Sequence, residues 1–205
     1  MKQIYFKLPY LVVGLGKKFL FAAFVLLLPI FTLAQHYRSK TSGNWNNKTT
    51  WQVSANGTTW TDAATHPIHS NSSQITIRST HTINANVNLD IDQVLVESGA
   101  KLEVSSGTTF RLKSVKAPSI SLQVFGIVEN SGTISNESGS VMLMDDRSEL
   151  VFNQDNGVLP LAKWAATAKL TINRWPSGGL DQELGHVVSK VAPNSFTGNT
   201  TVKGN

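Results

Sequence analysis

The side chains of this chain best suited to chemistry are two neighbouring carboxylates, Asp145 and Asp146. Glycoside hydrolysis uses two acids flanking the scissile bond, one protonating the leaving oxygen and one acting as base or nucleophile. Adjacent residues of a strand face opposite ways, so the pair can cooperate only from a turn. VMLM before it and Arg147-Ser148 after it allow one. We read the pair as a solvated turn between strands. Asp90 and Asp92 could offer oxygens to calcium, but no loop of regularly spaced Asp, Asn and Gly surrounds them. His66 and His69 stand at a spacing zinc accepts, yet Pro67 lies between them and no third ligand is near, so they read as a loop. The sequence has no nucleophile elbow, phosphate loop or dinucleotide fingerprint. With no cysteine, thiol catalysis and cysteine-ligated metals are excluded. No catalytic residue, metal ligand or cofactor is assigned.

Trp45, Trp51 and Trp60 remain as candidates. Aromatic faces stack on sugar rings, which makes the three a candidate carbohydrate site. Against this stands a role in covering the open N-terminal end of the β-helix, where fully burying a large apolar side chain is worth about 1.5–3 kcal/mol. The cap is the preferred role. Asn-x-Ser/Thr triplets at Asn47, Asn56, Asn71, Asn136 and Asn199 read as turn composition.

These residues are held by a chain that opens with an export signal. Residues 1–34 carry a basic head (Lys2, Lys7, Lys17, Lys18), an apolar run from Phe19 to Leu33 and a small-residue exit at Ala34, with cleavage expected between Ala34 and Gln35. The run is about 15 residues, shorter than the roughly 20 of a spanning helix. An uncleaved segment would be the only membrane contact. The whole chain has 18 basic and 13 acidic residues, net +5. Four of the basic residues lie in the signal, so the mature part has 14 against 13. The pI of 9.5 therefore describes mostly the signal. The scattered mature Lys and Arg give no basis for nucleic-acid binding.

The mature part reads as three stretches. Residues 35–72 form a Trp- and Asn-rich cap module in which Asn56-Gly57 predicts a hairpin of strands 50–54 and 58–61. From 73 onward come short runs of alternating apolar and polar residues, among them QITIR (74–78), QVLVE (93–97), KLEV (101–104), TFRL (109–112), SLQVF (121–125), GIVEN (126–130), SVMLM (140–144) and ELVF (149–152). Period 2 marks strands with one buried face. Turns of the form x-Ser-Gly recur at 97–99, 105–107, 130–132 and 137–139, and residues 95–112 overlay 127–144 at an offset of 32. Such repetition predicts an all-β, right-handed parallel β-helix over 73–205, with a β-sandwich as the alternative. Residues 161–175 could open as a helical turn before the strand KLTINRW. The chain stops without a visible terminal cap, which suggests an incomplete solenoid.

The opening YRSKTSGNWNNKTTWQVSANGTTW (37–60) resembles the start of large secreted and surface proteins of Bacteroidota. In these a Ser-Gly-Asn-Trp…Thr-Trp module precedes a pectate-lyase-like β-helix. Residues 75–104 resemble their first turns, and WAATAKLTINRWPSGGLDQELGHVVSKV (164–191) a second recurring element. Ser79-Thr80-His81 stands where that family usually has a Gly-His turn. The resemblance implies type IX secretion, usually with a sorting domain, which this chain lacks. Pectin hydrolases of the β-helix class follow their paired aspartates with Gly-His-Gly and Arg-x-Lys. Here Arg111-Leu112-Lys113 precedes the pair, and only Gly185-His186-Val187 follows it. The expectation is an exported cell-surface or secreted β-solenoid, adhesin-like or structural, whose partner is a polysaccharide or a host or matrix surface. The alternative is the non-catalytic N-terminal part of a polysaccharide-degrading β-helix enzyme, or a carbohydrate-binding module.

Overall fold

The computed structural model describes residues 34–114, 119–155 and 157–174, and the backbone of 199–202. The signal up to Leu33 and the 176–191 stretch lie outside the described residues. Among the described residues no helix is long and apolar enough to cross a membrane.

The chain is a parallel β-solenoid. After β1 (Gln35–Ser39) and β2 (Gly43–Asn44), a 3-10 turn (Lys48–Thr50) leads to β3 (Trp51–Ser54) and β4 (Thr61–Asp62). Three full turns follow, each visiting three sheets in order: β5 (Ser72–Ile77), β6 (Thr82–Ala85), β7 (Leu89–Ile91); β8 (Val94–Val96), β9 (Lys101–Val104), β10 (Thr109–Leu112); β11 (Ser119–Val124), β12 (Ile127–Asn130), β13 (Thr133–Asn136). Then come β14 (Ser140–Met144), β15 (Glu149–Phe152), β16 (Lys163–Trp164), β17 (Lys169–Ile172) and β18 (Asn199–Val202). The first sheet runs β16-β14-β11-β8-β5-β1-β3-β4, the second β18-β17-β15-β12-β9-β6-β2 and the third β13-β10-β7. Every pairing is parallel except β1–β3 and β3–β4. A sandwich of antiparallel sheets is excluded.

Period 2 is what makes this core. In KLEV, Leu102 and Val104 point inward while Lys101 and Glu103 point out. Because parallel strands stack in register, inward residues form columns through the turns: Ile83–Leu102–Val128–Leu150–Leu170 in the second sheet, Ile77–Val96–Val124–Met144–Trp164 in the first and Leu89–Phe110–Ile134 in the third. All of these side chains are buried. One column breaks the rule, since Asn130 sits between Val104 and Phe152.

The Ser-Gly tripeptides are tight turns. Ala100 N donates to Glu97 O at 2.9 Å, Thr108 N to Ser105 O at 3.1 Å and Ser140 N to Glu137 O at 3.0 Å. In each the third residue has positive φ (Gly99 79°, Gly107 75°, Gly139 86°), the conformation a type II turn demands and glycine adopts most cheaply. Thr80 (φ 69°) and Arg147 (φ 64°) take the same position in the turns 78–81 and 145–148 without being glycine. Thr80 is the position where the resemblance expected the Gly-His turn.

Four expectations are corrected. The 32-residue offset is not the stacking register: the separation of stacked residues varies from turn to turn, for example 19 (Ile75–Val94), 28 (Val94–Leu122), 26 (Lys101–Ile127) and 20 (Glu149–Lys169) positions. The overlay matched β8, β9 and β10 to β12, β13 and β14, which lie on different sheets, because the same turn serves all three corners. Second, Asn130-Ser131-Gly132 is not one of these turns. Gly132 has no left-handed φ; it packs over the preceding turn, where a β-carbon would lie 2.3 Å from Ser105 O. Third, the hairpin's second strand is 61–62 rather than 58–61, because the Asn56 carboxamide oxygen accepts Thr58 N and Thr59 N and holds a wider loop. Fourth, residues 161–172 contain no helical turn: Ala165–Ala168 is a corner between β16 and β17.

Candidate functional site

Asp145 and Asp146 occupy the corner between β14 and β15, where Ser148 N closes the turn on Asp145 O at 3.1 Å. Asp145 Oδ2 accepts Gln123 Nε2 from the turn below at 2.9 Å, and Asp146 Oδ1 accepts the Thr167 hydroxyl from the turn above at 2.9 Å. Each carboxylate is used to tie neighbouring turns together. Asp90 faces outward and pairs with Arg111 at 3.3 Å, whereas Asp92 is buried and accepts Gln93 N, so they do not share a face. Among the described residues no three His, Cys, Asp or Glu side chains gather as a metal cluster.

His66 and His69 belong to a loop that closes the edge of the third sheet. His69 N donates to Asp90 O at 2.8 Å. Asn71 pins the loop from inside, its side chain accepting Ile68 N and donating to His66 O. Pro67 O in turn accepts Trp45 Nε1 at 2.8 Å. An edge left open would expose unpaired backbone groups. The antiparallel β3–β4 pair covers the first sheet's edge in the same way.

The three tryptophans separate here. Trp45 and Trp51 are both 0% exposed and meet edge-to-face at 4.9 Å. Trp45 also meets Phe110 at 5.4 Å, and Trp51 Nε1 donates to Trp45 O at 2.7 Å. Neither presents a face to a ligand; both close the end of the core. Trp60 is half-buried, and its ring carries the Arg38 guanidinium at 4.2 Å from its centroid.

Trp60 borders a groove of about 320 Å³ on the outer face of the first sheet, shared with His36, Arg38, Gln74, Arg78 and Glu97. The sheet builds it. Period 2 puts His36 and Arg38 on one face of β1, and the parallel register sets them beside Gln74 and Thr76 of β5. Arg38 Nε donates to Gln52 Oε1 on β3 at 3.0 Å. Arg78 is fixed through its backbone: its N–H donates to Ser39 Oγ at 2.9 Å, and that hydroxyl meets His81 Nδ1 at 2.7 Å. A serine hydroxyl bonded to a histidine resembles a nucleophile and its base. Ser39 is 0% exposed and already holds the Arg78 amide, so this hydroxyl is structural. Glu97 Oε2 accepts Ser79 N at 2.8 Å. Sequence reading missed this groove. Its one signal was an apolar-Arg-Ser triplet (Tyr37-Arg38-Ser39, Ile77-Arg78-Ser79) at the ends of two strands that turn out to be neighbours.

The outer face of the second sheet holds a connected polar network. Glu103 and Glu129 are stacked partners, a repulsive pairing. Lys101 Nζ bridges both at 2.7 Å. Hydrogen bonding to Glu103 and then to Glu129 raises the lysine above its ordinary value. Glu129 continues to Asn153 at 2.7 Å and Asn153 to Asn173 at 2.6 Å, crossing four turns. No protein-family model matches the sequence, and neither a curated protein nor a solved structure matches it.

Proposed function

We propose that this chain is an exported cell-surface or secreted β-solenoid with an adhesin-like or structural role, and that it has no catalytic activity of its own. One observation carries the reading: the outward polar side chains bind the turn above or below. The Lys101–Glu103–Glu129–Asn153–Asn173 chain and the Asp145–Gln123 and Asp146–Thr167 bonds use polar groups to stack the solenoid. This suits an extended scaffold that displays a surface. Export rests on the basic head, apolar run and small-residue exit at Ala34. Type IX export in a Bacteroidota-type cell is part of the same proposal and rests on the resemblance of residues 37–60, 75–104 and 164–191. The partner is a polysaccharide or a host or matrix surface. The Trp60 groove favours a second reading, a carbohydrate-binding module or the non-catalytic part of a polysaccharide-degrading enzyme. The test incubates the chain from Gln35 onward with acidic and neutral polysaccharides and assays reducing ends. We expect none to be released; cleavage of any of these polymers overturns the non-catalytic reading.

A further inference from the structure

The groove beside Trp60 has an unbalanced charge. Among the described residues six cations (Lys40, Lys101, Arg111, Lys113, Lys169 and Arg174) each have a carboxylate within ion-pair distance. Five others (Arg38, Lys48, Arg78, Arg147 and Lys163) have none, and of these Arg38 and Arg78 share the groove. Glu97 lies at its rim with one oxygen engaged by Ser79 N. Arg38 is depressed below the ordinary arginine value, first by burial and then by the Arg78 charge, so the two guanidiniums feel one another. Arg38 is held in place, whereas Arg78 is exposed and anchored at its backbone. Trp60 and Gln52 fix the Arg38 head, leaving its terminal nitrogens free of any acceptor among the described residues. The Ser39–His81 pair fixes the backbone at Arg78. Two neighbouring guanidiniums with no carboxylate within ion-pair distance are half of a recognition site, because a guanidinium fork matches the two oxygens of a carboxylate or sulfate. The other half is sugar-like. Trp60 offers part of an aromatic ring, and Gln74 and His36 offer hydrogen-bonding groups. The volume, about 320 Å³, lies at the small end of ligand-binding clefts.

We infer that Arg38, Arg78 and Trp60 form a subsite for one acidic unit of a polysaccharide, its carboxylate or sulfate on the two guanidiniums and its ring against Trp60. This rests on the binding role proposed above and names the ligand class at one place on the surface. Titration calorimetry on the chain from Gln35 onward tests it with three probes: a uronic acid oligomer, dextran sulfate and uncharged dextran. We expect one or both anionic probes to bind, weakening as salt rises, and dextran not to bind. Arg38→Gln with Arg78→Gln should lower the affinity at least tenfold, Trp60→Ala should lower it several-fold, and Lys169→Gln on the second sheet should leave it unchanged. Which anionic probe binds tells carboxylate from sulfate. Circular dichroism of each variant checks that the solenoid is intact. The inference is overturned if neither anionic probe binds, if dextran binds as well as they do, or if a folded double-arginine variant keeps full affinity. Each of those results leaves the non-catalytic scaffold standing, whereas release of reducing ends would remove the scaffold reading and not the subsite.

Discussion

Gly126 lies directly over the carbonyl of Ala100: a β-carbon on Gly126 would sit 2.2 Å from that oxygen and 2.5 Å from Glu97 O. Gly126 has no left-handed φ, so its requirement is space. The corner between β11 and β12 has only Phe125 and Gly126, where the turn below has four residues, and the shorter corner rests on the longer one. Gly107 is the opposite case, with φ 75° and no atom within 4 Å of the place a β-carbon would occupy. Urea unfolding should therefore show Gly126→Ala destabilised by about 3 kcal/mol, the upper end of overpacking. Gly107→Ala should lose only about 1 kcal/mol, the cost of a left-handed non-glycine residue. Equal losses would contradict the distinction.

Trp45 and Trp60 should behave differently when truncated. Trp45→Ala opens a cavity against Trp51 and Phe110 and removes a hydrogen bond to Pro67 O. It should cost roughly 3–5 kcal/mol. Trp60→Ala, at a half-exposed position, should cost less than about 1 kcal/mol. Thermal unfolding of both variants checks this, and a Trp45→Ala protein as stable as the parent would refute the end-cap role.

Asn130 is 0% exposed, and neither atom of its carboxamide has a hydrogen-bond partner. A buried polar group left unsatisfied costs about 1–3 kcal/mol. Leucine has nearly the same shape and continues the apolar column between Val104 and Phe152. Asn130→Leu should raise the urea midpoint, corresponding to about 1–2 kcal/mol. A lowered midpoint would show that the amide makes interactions the geometry lacks.

Two pairs give stability a pH dependence of predictable sign. The Lys113 hydrogen bond holds the Glu137 carboxyl below its ordinary 4.5. Its contribution is complete above that value and is lost as pH falls through the lower folded value. Lys101 is raised above its ordinary 10.5 by Glu103 and Glu129. Its contribution is complete below 10.5 and is lost as pH rises through the higher folded value. Lys113→Met should flatten the acid limb of a melting-temperature profile and leave the alkaline limb; Lys101→Met should flatten the alkaline limb. An acid limb unchanged by Lys113→Met would contradict the pairing.

Strands with two inward apolar residues were readable: 101–104, 109–112, 140–144 and 149–152 match elements to the residue. Thr82–Ala85, Leu89–Ile91 and Thr133–Asn136 were missed, being short and carrying polar or small residues that do not stand out from turn sequence. The Ser-Gly turns were visible, but the same turn recurs at corners between different pairs of sheets, so similarity along the chain could not give the register. Three tryptophans in equally polar surroundings looked alike; only the fold separates buried Trp45 and Trp51 from Trp60. Arg38 and Arg78 are far apart in sequence, and stacking alone brings them to one groove.

Export is the premise on which a surface scaffold depends, and the mature N-terminus tests it most directly. Cells producing the chain are separated into cytoplasmic, surface and culture-fluid fractions, and the protein in each is sized by intact-mass spectrometry. The account predicts a chain beginning at Gln35, the first residue of β1, in the surface or culture-fluid fraction. A chain that keeps Met1–Ala34 and remains in the cytoplasm would contradict it.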